Sequence, residues 1–221
     1  MAIPYSLISI VDRPVPYAEA LEWQYSLQKQ RRAAVALDTL LLLEHAPVIT
    51  LGRGSVPERD LLCSAEERGV SGIEIYESDR GGEITYHAPG QIVGYPILEL
   101  DEESGERDLH GYLRRLEQVI IDTIAELGLE GYRKPGLTGV WVNENKIAAI
   151  GIKVSRWVTM HGFALNVDLD LTPMRTLIVP CGISTLGVTS LKEQGIAVGR
   201  HEVEPVLLRK FESVFARYRF D

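Results

Sequence analysis

In IVPCGIS, residues 178–184, a cysteine stands between a proline and a glycine. A lone cysteine is more often a small buried hydrophobe than a reagent. Pro180 and Gly182 change that reading for Cys181, because they fix and expose the backbone and let a second molecule approach the thiol. The N–H of Gly182 is a candidate oxyanion donor. A thiol attacks only as its thiolate, so a histidine or a lysine ammonium has to stand near it. Lys146 opens the apolar segment KIAAIGI directly after the turn signal Asn143, Glu144, Asn145. Lysines usually sit in solvent. Here Ala148, Ala149 and Gly151 leave room for something to lie against the strand, and a lysine at the rim of such a slot can serve as a base. Cys63, in DLLCSAEER, has a bland helix-edge context and reads as structural.

Residues 80–91, RGGEITYHAPGQ, hold three glycines, a proline, an arginine, a glutamate and a histidine. That is too much punctuation for a core strand and too much chemistry for an ordinary turn. The bland alternative is a glycine-rich hairpin that bends a sheet. Five histidines are present. His110 and His201 lie in polar, exposed contexts. His45, His87 and His161 lie in strand-and-turn segments, where a histidine is more often a hydrogen-bonding structural residue than a ligand. No helical H-x-x-x-H spacing occurs, so no metal is expected.

These residues need elements to hold them. Residues 16–32 read as a helix with Pro16 in its first turn. Residues 39–51 read as a strand interrupted at Pro47. Short strands are expected at 73–76, 84–86 and 91–98. Leu109, Leu113, Leu116, Ile120, Ile124 and Leu127 recur at three- and four-residue steps, which predicts a helix over 107–127 ended by Gly128. Strands at 139–142, 146–154 and 158–167 form a meander, and 205–220 reads as a closing helix. Hairpins outnumber βαβ crossovers. The expected class is therefore α+β, a mixed and mostly antiparallel sheet with helices packed on one face. A single domain over 1–221 is expected, with 189–221 as a candidate appended subdomain.

Composition closes off other classes. With 221 residues, 45% hydrophobic and 24% charged, the chain is long enough for a real core. The net charge of -8 argues against nucleic-acid binding. No apolar run approaches the roughly 20 residues of a membrane span. The N-terminus lacks a basic region before an apolar one and is cut by prolines, so a cytoplasmic protein is expected.

The blocks EHAPVITLGR, RGGEITYHAPGQIVGYPI, KIAAIGIKVSR, HGFALNVD and PCGI resemble, in order and spacing, the lipoyl(octanoyl) transferase family. The resemblance runs from about residue 39 to 190. It implies the fold of biotin and lipoate protein ligase catalytic domains. It implies Cys181 as the nucleophile that carries the acyl group and Lys146 as its partner. Substrate contacts are implied at Arg80, Gly81, Gly82, Glu83, Ile84, Thr85, Tyr86 and His87. Further contacts are implied at Ala149, Ile150 and Gly151, and at Gly162, Phe163 and Ala164. The implied donor is octanoyl-acyl carrier protein. The implied acceptors are lipoyl domains of 2-oxoacid dehydrogenase complexes and the glycine cleavage H protein. No cofactor, nucleic acid or membrane is implied, and a monomer is expected. Ala88 stands where glycine is usual, and Ile49 where an aromatic is expected.

Three further expectations follow. Gly81 and Gly82 should bring backbone N–H groups to the substrate, with Arg80 and His87 as the polar handles of the loop. An acyl tunnel lined by Ile, Leu and Ala should measure the eight-carbon chain. Because acyl carrier proteins are acidic and so is this chain, Arg80, Arg156 and Arg175 are candidates for a local basic docking patch. The competing readings are an ATP-dependent lipoate or biotin ligase, which does not require PCG, and a non-catalytic acyl-binding module.

Overall fold

The computed structural model describes residues 3–64, 72–102, 105–179, 187–215 and 218–219. In chain order the elements are β1 (Ile3–Pro4), β2 (Ser6–Ser9), α1 (Tyr17–Arg32), β3 (Thr39–Leu43), β4 (Val48–Leu51), α2 (Pro57–Asp60), β5 (Glu74–Glu77) and β6 (Ile84–His87). They continue as β7 (Gln91–Ile97), α3 (Leu109–Glu126), β8 (Val140–Val142), β9 (Asn145–Ser155), β10 (Val158–Asn166), α4 (Thr172–Thr176), β11 (Gly187–Val188), α5 (Arg200–Val214) and β12 (Tyr218–Arg219).

The main sheet runs β11-β9-β10-β7-β3-β2, with β8 also on β9. The pairs β9–β10, β10–β7 and β7–β3 are antiparallel, while β2–β3 and β9–β11 are parallel. A small sheet, β5-β4-β6, stands beside it, and β1 pairs with β12. The class is α+β with a mostly antiparallel sheet, as expected.

Two local expectations change. Residues 39–51 form two strands in two different sheets, parted at Glu44–Pro47. The helices cover both faces of the main sheet, not one. Leu40 and Leu42 join the core under α3 and α5, whereas Leu41 and Leu43 join the core under α1. That is why TLLLL is an unbroken apolar run: neither face of β3 meets water. Each such leucine contributes about 1.5–3 kcal/mol by leaving water.

Asp108 caps α3, its Oδ1 accepting the N–H of His110 at 3.0 Å. The buried face of α3 is Tyr112, Leu116, Val119, Ile120, Thr123 and Ile124, so the stripe is turned slightly from the expected one and Leu109 is exposed. The last helix begins at Arg200, ahead of Pro205, because the Glu202 carboxylate accepts the N–H of Gly199 at 2.8 Å and secures an earlier start. Its Val203, Leu207 and Phe211 pack with Leu116, Ile120 and Ile124 in one cluster.

Candidate active site

A cavity of about 390 Å³ opens between the main and small sheets. The register explains its floor. Antiparallel pairing sets Ala149 opposite Ala164, Ile150 opposite Phe163 and Gly151 opposite Gly162, which leaves a shallow stretch of small side chains across β9 and β10. All six of these residues line the cavity, as do Arg80, Gly82, Glu83, Ile84, Thr85, His87 and Lys146. The fold thus gathers most of the expected site residues from three separate segments, 80–87, β9 and β10. Tyr86 turns away into the core of the small sheet, among Ile49, Leu51 and Met174. Cys181 lies outside the described residues.

The glycine-rich loop departs from the expectation at Gly81. The N–H of Gly81 donates to the carbonyl of Ile152 on β9 at 2.8 Å, so it is not available to an oxyanion. A Cβ on Gly151 would stand 2.7 Å from the Gly81 oxygen, and one on Gly52 would stand 2.3 Å from the Gly82 oxygen. These glycines let the loop lie flat on its neighbours. Arg80 is buried. Its Nη2 donates to the Thr50 carbonyl at 2.9 Å and to Thr50 Oγ1 at 2.8 Å, and its Nη1 donates to the Gly81 carbonyl at 3.1 Å. Much of its donor capacity holds the loop to β4, and burial removes it from any docking surface. Arg175 is bound to both carboxylate oxygens of Glu193, at 2.9 and 2.7 Å. Of the three arginines expected to dock an acidic partner, Arg156 is exposed and has no such ion pair among the described residues.

Lys146 sits at the edge of the cavity. Its Nζ donates to the carbonyl of Thr138 at 2.9 Å and lies 5.0 Å from the centre of the Trp141 ring. The carbonyl accepts from the nitrogen, and the indole face lies within cation–π range of it. The loop carrying Thr138 is held by Glu117 of α3. That buried carboxylate accepts from Arg114 at 2.6 Å, from Arg133 at 3.0 Å and from the N–H of Gly139 at 3.0 Å. Nothing in the sequence pointed to Glu117, which reads there as one more charge on a helix.

Opposite Lys146 the cavity ends in rings. Tyr17, His87, Tyr95 and His161 line it, and His45 lies behind. The expected tunnel of Ile, Leu and Ala is therefore only part of the lining. Three hydrogen-bond chains set the protons here. The Val15 carbonyl accepts from His45 Nδ1 at 2.8 Å, so His45 Nε2 is bare and takes the Tyr95 hydroxyl proton at 2.7 Å. The Thr189 carbonyl accepts from Asn166 at 2.8 Å, Asn166 Oδ1 accepts from Gln91 at 2.9 Å, and Gln91 Oε1 accepts from His87 Nδ1 at 2.7 Å. Asp79 accepts from His161 Nε2 at 2.8 Å, from Tyr25 at 2.7 Å and from Lys153.

Charge follows from the same surroundings. Burial pushes His45 down to about 4. Burial, with His45 close by, pushes His87 down to about 3. Burial also lowers His161, and the donors on Asp79, His161 first, hold that carboxyl well below its usual range. His45 and His87 are thereby neutral at neutral pH, and His161 is shifted in the same direction. His161 has a left-handed φ of 56° inside β10, a conformation costly for a non-glycine residue. Its N–H is held by Gln24 Oε1 at 2.9 Å. Tyr17 and Tyr95 carried no signal in the sequence beyond being aromatic. Among the described residues no cluster of three His, Cys, Asp or Glu side chains is placed to hold a metal ion, and no helix is long and apolar enough to cross a membrane.

The family model of the lipoyl protein ligase A/B catalytic domain matches residues 16–212. The octanoyltransferase of Gloeobacter violaceus is 52% identical over 203 residues, covering 91% of this chain and 86% of that one. The octanoyltransferase of Solibacter usitatus is 50% identical over 201 residues, covering 91% and 89%. Among solved structures, lipoate-protein ligase A bound with ATP superposes with a TM-score of 0.76 at 17% identity, over 100% of this chain and 88% of that one. At that identity it is the fold that is shared. The chain belongs to the lipoyl protein ligase A/B catalytic domain family. Within it the chain is an acyltransferase, and its activity is octanoyl transfer in protein lipoylation.

Proposed function

We propose that this octanoyl transfer runs through a thioester on Cys181, with Lys146 as the proton carrier. One observation carries the reading. Ile178 and Val188, which flank the segment bearing Cys181 on its two sides, both line the cavity that Lys146 borders. The second flank pairs with the lysine's own strand, Gly187 opposite Asn145 and Val188 opposite Lys146.

In this reading the Lys146 ammonium, supported by Thr138 and Trp141, stabilises the Cys181 thiolate. The thiolate attacks the carbonyl of octanoyl-acyl carrier protein. The new sulfur–carbon bond replaces the old one, and Lys146 gives its proton to the departing thiol. Exchange of one thioester for another is nearly balanced, so the acyl-enzyme persists. Neutral Lys146 then takes a proton from the incoming lysine amine, which attacks the thioester and releases Cys181. Amide formation is downhill and needs no ATP. The acceptors are lipoyl domains, those of 2-oxoacid dehydrogenase complexes and the glycine cleavage H protein among them, and a single domain spanning the chain does the work.

The test is an intact mass after incubation with octanoyl-acyl carrier protein, without acceptor or ATP. One octanoyl group, located on Cys181, released by hydroxylamine and absent from Cys181→Ser, is the expected result. An unmodified protein, or product formed only from free octanoate with ATP, would overturn the acyl-enzyme.

A further inference from the structure

The ring-lined end of the cavity presents acceptors. The proton on His87 is committed to Gln91, and the proton on His161 to Asp79, so His87 Nε2 and His161 Nδ1 are bare. Neither atom has a hydrogen-bond partner among the described residues, and neither is sealed from the cavity. Tyr95 spends its proton on His45 and offers its oxygen only as an acceptor. Each of these assignments is anchored in a group that can only accept: the Thr189 carbonyl, the Asp79 carboxylate and the Val15 carbonyl. His87, His161 and Tyr95 therefore cannot turn a donor into the cavity without breaking their own support, and the Tyr17 hydroxyl is engaged with Ser78 Oγ at 2.9 Å.

This end also lies away from the reacting atoms. Lys146 is on β9, whereas Tyr95 is on β7, two strands further across the sheet, and His45 and Tyr17 lie beyond it. Tyr95 is level with Gly162 and Gly151, five residues along β9 from Lys146, and His161 faces Ile152. At about 3.4 Å per residue and about 4.8 Å per strand, the wall stands roughly 20 Å from the backbone of Lys146, a gap shared by the lysine side chain, the acyl chain and the rings. An acyl chain attached near Lys146 and laid over Ala149, Gly162 and Ala164 points its far end at these acceptors.

We propose that this wall is a subsite for a hydrogen-bond donor at the far end of the acyl chain. Water occupies it when the chain is plain octanoyl, and a chain tipped with a hydroxyl fills it directly. A longer alkyl chain is disfavoured there because its methyl group buries His87 Nε2 without a partner. A site built to accept a hydrogen bond rejects the isostere that lacks the donor more strongly than an apolar pocket distinguishes one methylene. The inference rests on the acyl-enzyme reading above.

The experiment compares two isosteric donors, nonanoyl- and 8-hydroxyoctanoyl-acyl carrier protein, supplied as an equal mixture. Their partition is read by mass on the Cys181 peptide, with octanoyl-acyl carrier protein as a separate control. The expected result is an excess of the hydroxylated adduct of about fivefold or more in the unmodified protein. In His87→Leu the ratio should move towards nonanoyl by about fivefold or more, since the leucine offers the hydroxyl nothing. An equal or nonanoyl-rich partition in the unmodified protein would overturn the subsite, and that comparison needs no variant to fold. An unchanged ratio in His87→Leu would overturn the assignment to His87. Loss of the octanoyl control adduct itself would instead overturn the acyl-enzyme reading, and this inference with it.

Discussion

Lys146 is a solvent-type residue held in a place that gives it work. A carbonyl and an indole face take the positive charge of its ammonium, and the flanks of the Cys181 segment share its cavity. An arginine keeps the charge and both contacts but does not give up its proton near neutral pH. Lys146→Arg should therefore still form the acyl-enzyme while transfer to the acceptor lysine falls by about 10²–10⁴-fold. Single-turnover kinetics of the two half-reactions checks this. Equal retention of both steps would remove Lys146 from the second one. Cys181 and Lys146 stood out in the sequence as candidates because their neighbours are unusual. The partners of Lys146, Thr138 and Trp141, did not, since a backbone carbonyl and a tryptophan leave no local pattern.

At the scale of elements, the decisive arrangement is a helix holding a loop that holds a catalytic candidate. Glu117 sits in the buried face of α3 and ties Arg114, Arg133 and the N–H of Gly139 together, next to the carbonyl that receives Lys146. Glu117→Ala should destabilise the fold by about 1–3 kcal/mol through lost charge-assisted hydrogen bonds. It should also slow transfer beyond that loss, at temperatures where the variant is fully folded. Glu117→Gln retains an acceptor for Gly139 and should recover part of the rate. Urea denaturation together with transfer kinetics separates the two effects, and a destabilised but fully active Glu117→Ala would confine Glu117 to stability. The helices and the β9–β10 meander could be predicted from periodicity. The earlier start of α5 and the two-sided cover of β3 could not, because a proline mimics a helix start and an apolar run does not say how many faces it buries.

For the whole molecule, the cluster of neutral imidazoles has a measurable consequence. Unfolded histidines take up protons at about 6.5, whereas His45 and His87 resist protonation down to about 4 and 3 when folded. Below pH 6.5 the unfolded chain therefore binds more protons than the folded one, and stability falls with falling pH. The slope approaches about 1.4 kcal/mol per pH unit for each imidazole, and the loss continues until the folded groups titrate. Above about pH 7 these two groups contribute no pH dependence. Urea denaturation between pH 7.5 and 4.5 tests this, and a level stability between pH 6.5 and 4.5 would contradict it.

By itself the sequence determined the class and the family, and it named Cys181 and Lys146 as the candidate pair. Those depend on local matters: periodicity, turn residues, and the unusual neighbours of the two residues. The tertiary structure decided which groups remain available to a substrate. Gly81 looked like a backbone donor to the substrate and is spent on Ile152, while Arg80 looked like a surface handle and is buried against Thr50. His87 is one of three histidines that looked alike in the sequence. It opens a bare nitrogen to the cavity because Gln91 and Asn166, the latter 75 residues beyond Gln91, fix its proton. Which hydrogen-bond partner a group takes depends on what other strands bring beside it, and no stretch of sequence around that group carries this information.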